Sequence, residues 1–420
     1  MLLKKVILNN VKSIKHLTID FEDKTNGWHV LLGMNGCGKS TILKAISLCL
    51  LGERQSYSLK ENFSNWITKG ENKASILLEF SLNKSFDSLA NDYNSKVGFH
   101  LKIIKSGDLE FTFEAKGKKD RKYPINPEYG WYTAGFGPYR RLGKLESMNI
   151  KDFSDGNLEN HITLFDTEYA LTNGIQWLQN LKFRELENRS SMSSLKEVIN
   201  FLNNSEFLPD EVKVINVDSE NVHFSDGEFH NLNINQLSDG YKSMFALAIE
   251  ILRQLNNRFV FTNLIKIVGK RKIINAEGII LIDEVDIHLH PKWQSKIGNW
   301  FKTYFPNIQF IVTTHSPIIC QSADGGKIWK IEHPKSDKIS KEVTGQDFQR
   351  MVYGNILDSF STDNFGQETI LRSDKSKDYM KRLALLNIKS LQGIATPEEL
   401  KEIKDIKAIL PTSKNDTSTN

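Results

Sequence analysis

The sequence predicts an α/β fold: a mixed, mainly parallel sheet with flanking helices, an antiparallel β subdomain, a short helical insertion and no long coiled coil. Three observations carry that expectation. The apolar runs WHVLLG, GIILIDE and NIQFIVTTH lack alternation and are interleaved with helical stretches, the pattern of parallel strands covered on both faces. Between Ala74 and Phe113 the segments ASILLEF, FHLKIIK and LEFTFEA read as strands with no helix between them. Around residues 160–205 the helices are short, and nothing sustains heptads over the many turns an extended coiled-coil arm needs.

The elements follow in order. KKVILNNV and HLTIDFE are strands ahead of the buried run WHVLLG, which ends at a glycine-rich turn. The helix STILKAISLCLLG has apolar residues on one face and stops at Gly52, a C-cap. The basic turn KGKKDRK reads as a solvated hairpin tip. In SSLKEVINFL a capping box is expected from Ser194 to Glu197. LSDGYKS, Leu237 to Ser243, is a turn running into the helix YKSMFALAIEILRQL; GIILIDE, an amphipathic helix around PKWQSKIGNWF, and NIQFIVTTH come next. TPEEL opens a last helix with Thr396 as cap and Pro397 at its first position, and the tail PTSKNDTSTN is expected to be disordered.

Bulk properties exclude several classes. A chain of 420 residues can bury a large core as one domain with an insertion or as two modest domains. No apolar run approaches the length of a membrane span, and MLLKKVILNN carries lysines where a signal peptide needs a continuous apolar core, so a cytoplasmic protein without a membrane partner is expected. Cys37, Cys49 and Cys320 lie far apart without metal spacing and read as reduced thiols. A net charge of +4 neither demands nor excludes nucleic acid.

GMNGCGKS, Gly33 to Ser40, fits the phosphate-loop pattern and lies between a buried strand and a helix, where the chemistry requires it. The loop of Gly33, Asn35, Gly36 and Gly38 curls its N–H groups around phosphates; Lys39 reaches the β and γ oxygens, Ser40 ligates magnesium, and Thr41 at the helix start meets the α-phosphate. ATP and Mg2+ are therefore the expected cofactors. GIILIDE ends in two carboxylates: Asp283 for magnesium and Glu284 to polarise the attacking water. An acidic strand end alone would be ordinary; beside a phosphate loop it is a catalytic pair. His315 of THSP stands at the end of the next buried strand as a γ-phosphate sensor. In LSDGYKS, Ser238 and Gly240 open a helix N-terminus to a second anion.

These four elements, in this order, resemble the head of an ABC-class ATPase of the SMC, RecF and OLD kind, a P-loop NTPase fold within the wider AAA-family ATPases. In that class the signature closes over ATP held by another head. The resemblance thus implies that Ser238 and Gly240 serve a second protomer's nucleotide, in a homodimer of heads or a higher oligomer. VDIHLHP, Val285 to Pro291, stands where the family places its D-loop, and HLHP is similar to RecF-like and OLD-like forms; the alternative is a metal pair of His288 and His290 with Asp286, for which no further ligand is evident. GFGPYRRL, Gly135 to Leu142, together with HLHP, the short lobe and MVYGNILDSFSTDNFG, looks like the ATPase subunits of the Septu anti-phage system, the PtuA family. That implies that Arg140, with Arg141, contacts nucleotide or the neighbouring head; a surface arginine pair after a turn is the alternative. Two departures stand out: Asp239 and Tyr241 replace a glycine and the glutamine of LSGGQ, and no Q-loop glutamine ends a strand.

The expected organisation is 1–158 for the first part of the head, 159–230 for a helical lobe, 231–335 for the second part of the head, and 336–420 for a helical segment and tail that could dock a partner. The resemblance implies a regulatory or sensor ATPase of a defence complex that controls an HNH endonuclease subunit. A RecF-like repair clamp that binds DNA is the alternative. A nuclease of OLD type is disfavoured because the residues after the head contain no Asp-x-Asp spacing, and a non-catalytic binding module would leave Glu284 idle.

Overall fold

The computed structural model describes residues 1–22, 25–83, 85–86, 97–115, 118–120, 132–140, 156–169, 171, 173–187, 192–208, 212–259, 261–336, 338–354, 374–392 and 394–409. Arg141, NILDSFSTDNFG, PTSKNDTSTN and all of KGKKDRK but Lys118–Asp120 lie outside them. The chain divides into two units, Met1–Ser359 and Phe360–Asn420.

Two six-stranded sheets form the core of the first unit. β1 (Leu2–Val11) and β2 (Ile14–Asp20) precede β3 (Gly27–Leu32), and β4 (Lys73–Ser81), β5 (Val97–Ile104), β6 (Leu109–Ala115) and β7 (Lys118–Asp120) follow. Six of these form an antiparallel sheet in the order β2-β1-β4-β5-β6-β7. In β4 every second residue, from Ala74 to Phe80, is buried, the period of a sheet with one covered face. A register shift between Leu3 and Lys5 absorbs the lysine pair of β1, so that Val6 and Leu8 return to the core.

The covering element is α1 (Lys39–Ser58). Ile42, Leu43, Ala45, Ile46, Leu48, Cys49 and Leu50 are all buried, packing with Leu8, Ile76 and Phe99 of the antiparallel sheet and with Leu31, Ile279 and Ile311 of the second sheet. The expectation of a single apolar face is corrected: a helix held between two sheets is apolar all round. Gly52, at φ +78°, breaks the helix where the C-cap was expected, and a short helical run continues to Ser58.

The second sheet adds β8 (Tyr132–Phe136), β14 (Gly278–Ile282), β15 (Ile308–Thr314), β16 (Ile328–Lys330) and β17 (Lys341–Val343), in the order β17-β16-β3-β15-β14-β8, parallel except at β17. β14 and β15 are buried at every position, as their unbroken apolar runs require. The Gln309 side chain accepts from Leu3 N (2.7 Å) and donates to Leu3 O (2.8 Å), tying the two sheets together.

Between β8 and β14 lie α2 (Gly156–Phe165), α3 (Asn173–Leu186), α4 (Met192–Asn204), β9 (Lys213–Val217), β10 (Val222–Ser225), β11 (His230–Asn233), α5 (Asp239–Phe259) and the hairpin of β12 (Ile265–Val268) with β13 (Arg271–Ile274). Strands β9 to β11 make a three-stranded antiparallel sheet, so the insertion is not wholly helical. α4 begins at Met192, so Ser194, expected as its cap, lies within the helix, and Glu197 pairs with Lys272 (2.6 Å). After β14 come α6 (Pro291–Tyr304) and α7 (Gly345–Tyr353), the latter still in the first unit.

The second unit contains α8 (Asp374–Leu391) and α9 (Pro397–Ile409), packed through Leu383, Leu386, Ile403 and Ile406. Thr396 caps α9: its hydroxyl accepts from Glu399 N (3.2 Å) while Glu399 accepts from Thr396 N (3.0 Å). Among the described residues no helix is long and apolar enough to cross a membrane.

Candidate nucleotide-binding site

Because β3, β15, β14 and β8 are neighbouring parallel strands, the residues that follow their C-terminal ends share one edge of the sheet. That edge receives Gly33 and the phosphate loop from β3, His315 from β15, Asp283 and Glu284 from β14, and Gly137 from β8.

Gly38 caps α1 at φ +98°, a conformation that suits glycine. No side chain caps this helix end and its first turn carries no acid, which leaves its N–H groups and dipole for an anion. A Cβ on Gly33 would stand 2.5 Å from Ile331 O, so the loop entrance requires glycine for space. Asn35 and Gly36 are exposed in the loop, while Ser40 and Thr41 lie in the first turn of α1.

Lys39 is 5% exposed and its ammonium donates to Gly33 O (2.8 Å), Met34 O (3.1 Å) and His315 Nε2 (3.0 Å). An ammonium can only donate, so Nε2 accepts and His315 is neutral with its proton on Nδ1. Burial, and next the Lys39 charge, lower the His315 pKa below its ordinary value, in agreement with that assignment. Burial likewise lowers the Lys39 pKa, against the opposing pull of Cys37 and Asp283.

Asp283 is buried, and its Oδ1 accepts from Thr313 Oγ1 (2.5 Å); the same hydroxyl oxygen accepts from Glu284 N (2.7 Å). Glu284 sits at φ +45°, an uncommon conformation for a side-chain-bearing residue. Desolvation and then the Asp283 charge raise its carboxyl pKa above the usual range. The Ser40 hydroxyl and the Asp283 carboxylate are hard oxygen donors, a set that fits Mg2+. Asp286 accepts from Thr314 Oγ1 (2.5 Å) and His290 caps α6 through Lys292 N (3.3 Å). Among the described residues no group of three or more His, Cys, Asp or Glu side chains could hold a metal, so His288, His290 and Asp286 are not assembled into one.

At the signature, Ser238 and Asp239 are exposed at the start of α5. A Cβ on Gly240 would meet His288 O at 2.6 Å, and the Tyr241 ring lies edge-on to Trp293 (6.3 Å, 65°). The segment is therefore packed on the D-loop and on α6 of its own chain.

Arg140 requires a correction. It is 4% exposed, and its guanidinium donates to Ser243 Oγ (3.3 Å), Gly137 O (3.1 Å), Asp283 O (2.9 Å), Glu284 O (3.1 Å) and Val285 O (3.5 Å). All five N–H donors are directed at this chain, so the side chain expected to reach nucleotide or a neighbouring head faces the inside of its own. Sequence reasoning also passed over Thr313, although it is visible in the run VTTH one residue before the last threonine.

Residues 1–206 match the family model described as AAA ATPase domain, and residues 144–321 match that described as AAA domain, putative AbiEii toxin, Type IV TA system. The chain is 30% identical over 330 residues to the Septu protein PtuA of Bacillus mycoides (strain KBAB4), across 78% of this chain and 40% of that protein. Together these matches place AAA ATPase domains across residues 1–321, in a chain similar to Septu PtuA. It is also 25% identical over 414 residues to the Retron Ec83 probable ATPase of Escherichia coli, across 80% of this chain and 73% of that one. It thus spans less than half of the first of these relatives and about three quarters of the second. Among solved structures it is similar to the SMC head domain from Thermotoga maritima, with a TM-score of 0.46 and 18% identity over 82% of this chain and 99% of that one.

Proposed function

We propose that this ATPase is the regulatory or sensor subunit of a bacterial anti-phage complex, in which ATP-driven pairing of two heads controls a partner nuclease of HNH type. The observation that carries the reading is the convergence of Lys39, His315 (3.0 Å apart), Asp283 and Glu284 at one sheet edge, in a chain related to Septu and retron ATPases. Lys39 exchanges its loop-carbonyl partners for β- and γ-phosphate oxygens. The neutral His315 offers one N–H to the γ-phosphate, and Glu284 orients the attacking water. Ser40 and Asp283 would hold Mg2+, which supplies charge neutralisation at the phosphates when bound. A groove of about 330 Å³ beside the loop, lined by Ser13, Ile14, Cys37 and His333, offers room for the nucleoside.

Ser238 and Gly240 face the nucleotide of a second head, giving two composite sites per pair. On the C-terminal hairpin the apolar side chains Leu385, Ile388 and Leu391 are exposed, which supports this segment as the dock for the partner.

Mass in solution, with and without ATP and Mg2+, tests the pairing. Glu284→Gln is expected to lock an ATP-dependent larger species that Ser238→Arg abolishes. A mass indifferent to nucleotide in every variant would remove ATP-driven pairing from the proposal.

A further inference from the structure

We propose that Arg140 is a positioning residue that holds the turn carrying Glu284 and ties it through Ser243 to α5, the helix behind the signature, so that the catalytic carboxylate is set by where that helix stands. The inference rests on the reading of Glu284 as the group that orients water.

Three consecutive carbonyls, those of Asp283, Glu284 and Val285, converge on one guanidinium. Such convergence requires the sharp turn that Glu284 makes at φ +45°, and a planar fork of donors matches it where a single ammonium would not. The fork is itself anchored on two sides. Nη1 donates to Gly137 O at the end of β8, whose own N–H is held by Thr163 (3.2 Å) on α2. Nε donates to Ser243, buried within the first turns of α5, in the helix that Gly240 opens. Thr313 holds the opposite side of the same turn by accepting from Glu284 N (2.7 Å). A displacement of α5 therefore pulls on the guanidinium, and the guanidinium on three peptide groups of the catalytic turn. Burial lowers the Arg140 pKa to about 10, and the charges of Asp283, Asp286 and Glu284 oppose that shift, so the guanidinium stays ionised at neutral pH.

The experiment measures kcat for ATP hydrolysis and, separately, the Kd of a fluorescent ATP analogue, in the full chain and in Arg140→Lys, Ser243→Ala, the double variant and Glu284→Gln. A misplacement of about 1 Å in a catalytic group can cost on the order of 100-fold in rate. Arg140→Lys is expected to lower kcat by roughly 10- to 100-fold and Ser243→Ala by roughly 3- to 10-fold, each with Kd within about twofold of the parent. The double variant should be no slower than Arg140→Lys within about twofold, because both residues act through one turn. A role confined to stability would instead lower Tm and leave kcat per folded molecule unchanged, and that result overturns the proposal. So does wild-type kcat in both single variants while Glu284→Gln is inactive. If Glu284→Gln itself turns over at the wild-type rate, the reading of the site fails first. Should Arg140→Lys not fold, Ser243→Ala decides alone.

Discussion

Gly240→Ala tests the packing of the signature against the D-loop. The added methyl would lie 2.6 Å from His288 O, whereas ordinary contacts begin near 3.4 Å, so the two segments must separate by about 0.8 Å. Neither side can yield cheaply. The atom met is backbone, and His288 already occupies a left-handed conformation at φ +62°. Overpacking of this kind costs about 1–3 kcal/mol, which for a protein of this size lowers Tm by roughly 1–4 °C. The larger consequence is expected in turnover: if this helix end completes the composite site proposed above, a shift approaching 1 Å there should lower kcat about 10- to 100-fold. Binding of ATP to the phosphate loop of a single chain should change little, since Lys39 and the start of α1 belong to a different element. Thermal unfolding, ATP hydrolysis and equilibrium nucleotide binding are measured on the same preparations, with Asp239→Ala as control, because that exposed neighbour meets no such obstacle. Wild-type Tm and wild-type kcat in Gly240→Ala would refute both the contact and the argument built on it.

Three other outcomes are expected. Thr313→Val removes the donor to Asp283 and the acceptor for Glu284 N, costing about 1–3 kcal/mol and lowering hydrolysis more than ATP binding; Thr313→Ser should restore both. His161 is buried between Ser47 and Thr133, and desolvation lowers its pKa to about 3. Above its unfolded pKa, near 6.5, both states are neutral; as pH falls below that value the unfolded chain takes up a proton that the fold excludes, so stability declines. Between pH 7.5 and 5.5 the loss is about 1.4 kcal/mol, seen as a Tm decrease that His161→Gln should not show. Lys39→Met should retain the fold, because it replaces a buried stem by one of similar length, yet abolish the rise in Tm that ATP produces in the parent.

Legibility in the sequence followed the range of the forces involved. β14 and β15 are readable because burial on both faces demands an unbroken apolar run, and Asp283, Glu284 and His315 are readable because each follows directly on such a run. β8 was hidden by its own packing: α2 approaches so closely that a Cβ on Gly135 would stand 2.3 Å from Leu164 Cδ1, and small residues dilute the apolar signal of YTAGF. β9 and β10 are short and bury only some of their residues, and β11 (HNLN) is mostly polar, so none carries a long apolar signal. Arg140 is the instructive case. A pair of arginines after a glycine-proline turn reads as surface, and nothing local announces that three carbonyls from residues far along the chain will converge on one of them.

The departures from LSGGQ acquire a physical sense in this arrangement. Tyr241, standing where the glutamine would be, lies against Trp293 in the first turn of α6, and α6 is capped by His290, the residue that ends the D-loop. Gly240 touches His288 of the same loop. Residues 283 to 290 form one continuous segment whose first members bear the carboxylates and whose last members touch the signature, and its opening turn is braced by Thr313 and Arg140. An aromatic contact of this type adds about 0.5–1.5 kcal/mol beyond area burial, enough to stiffen the link between signature and D-loop without fixing it. The altered signature thus trades a side chain suited to reach outward for one that anchors the helix to its own chain. On that argument the pairing of heads proposed above would position this unit as a whole, rather than move the signature alone.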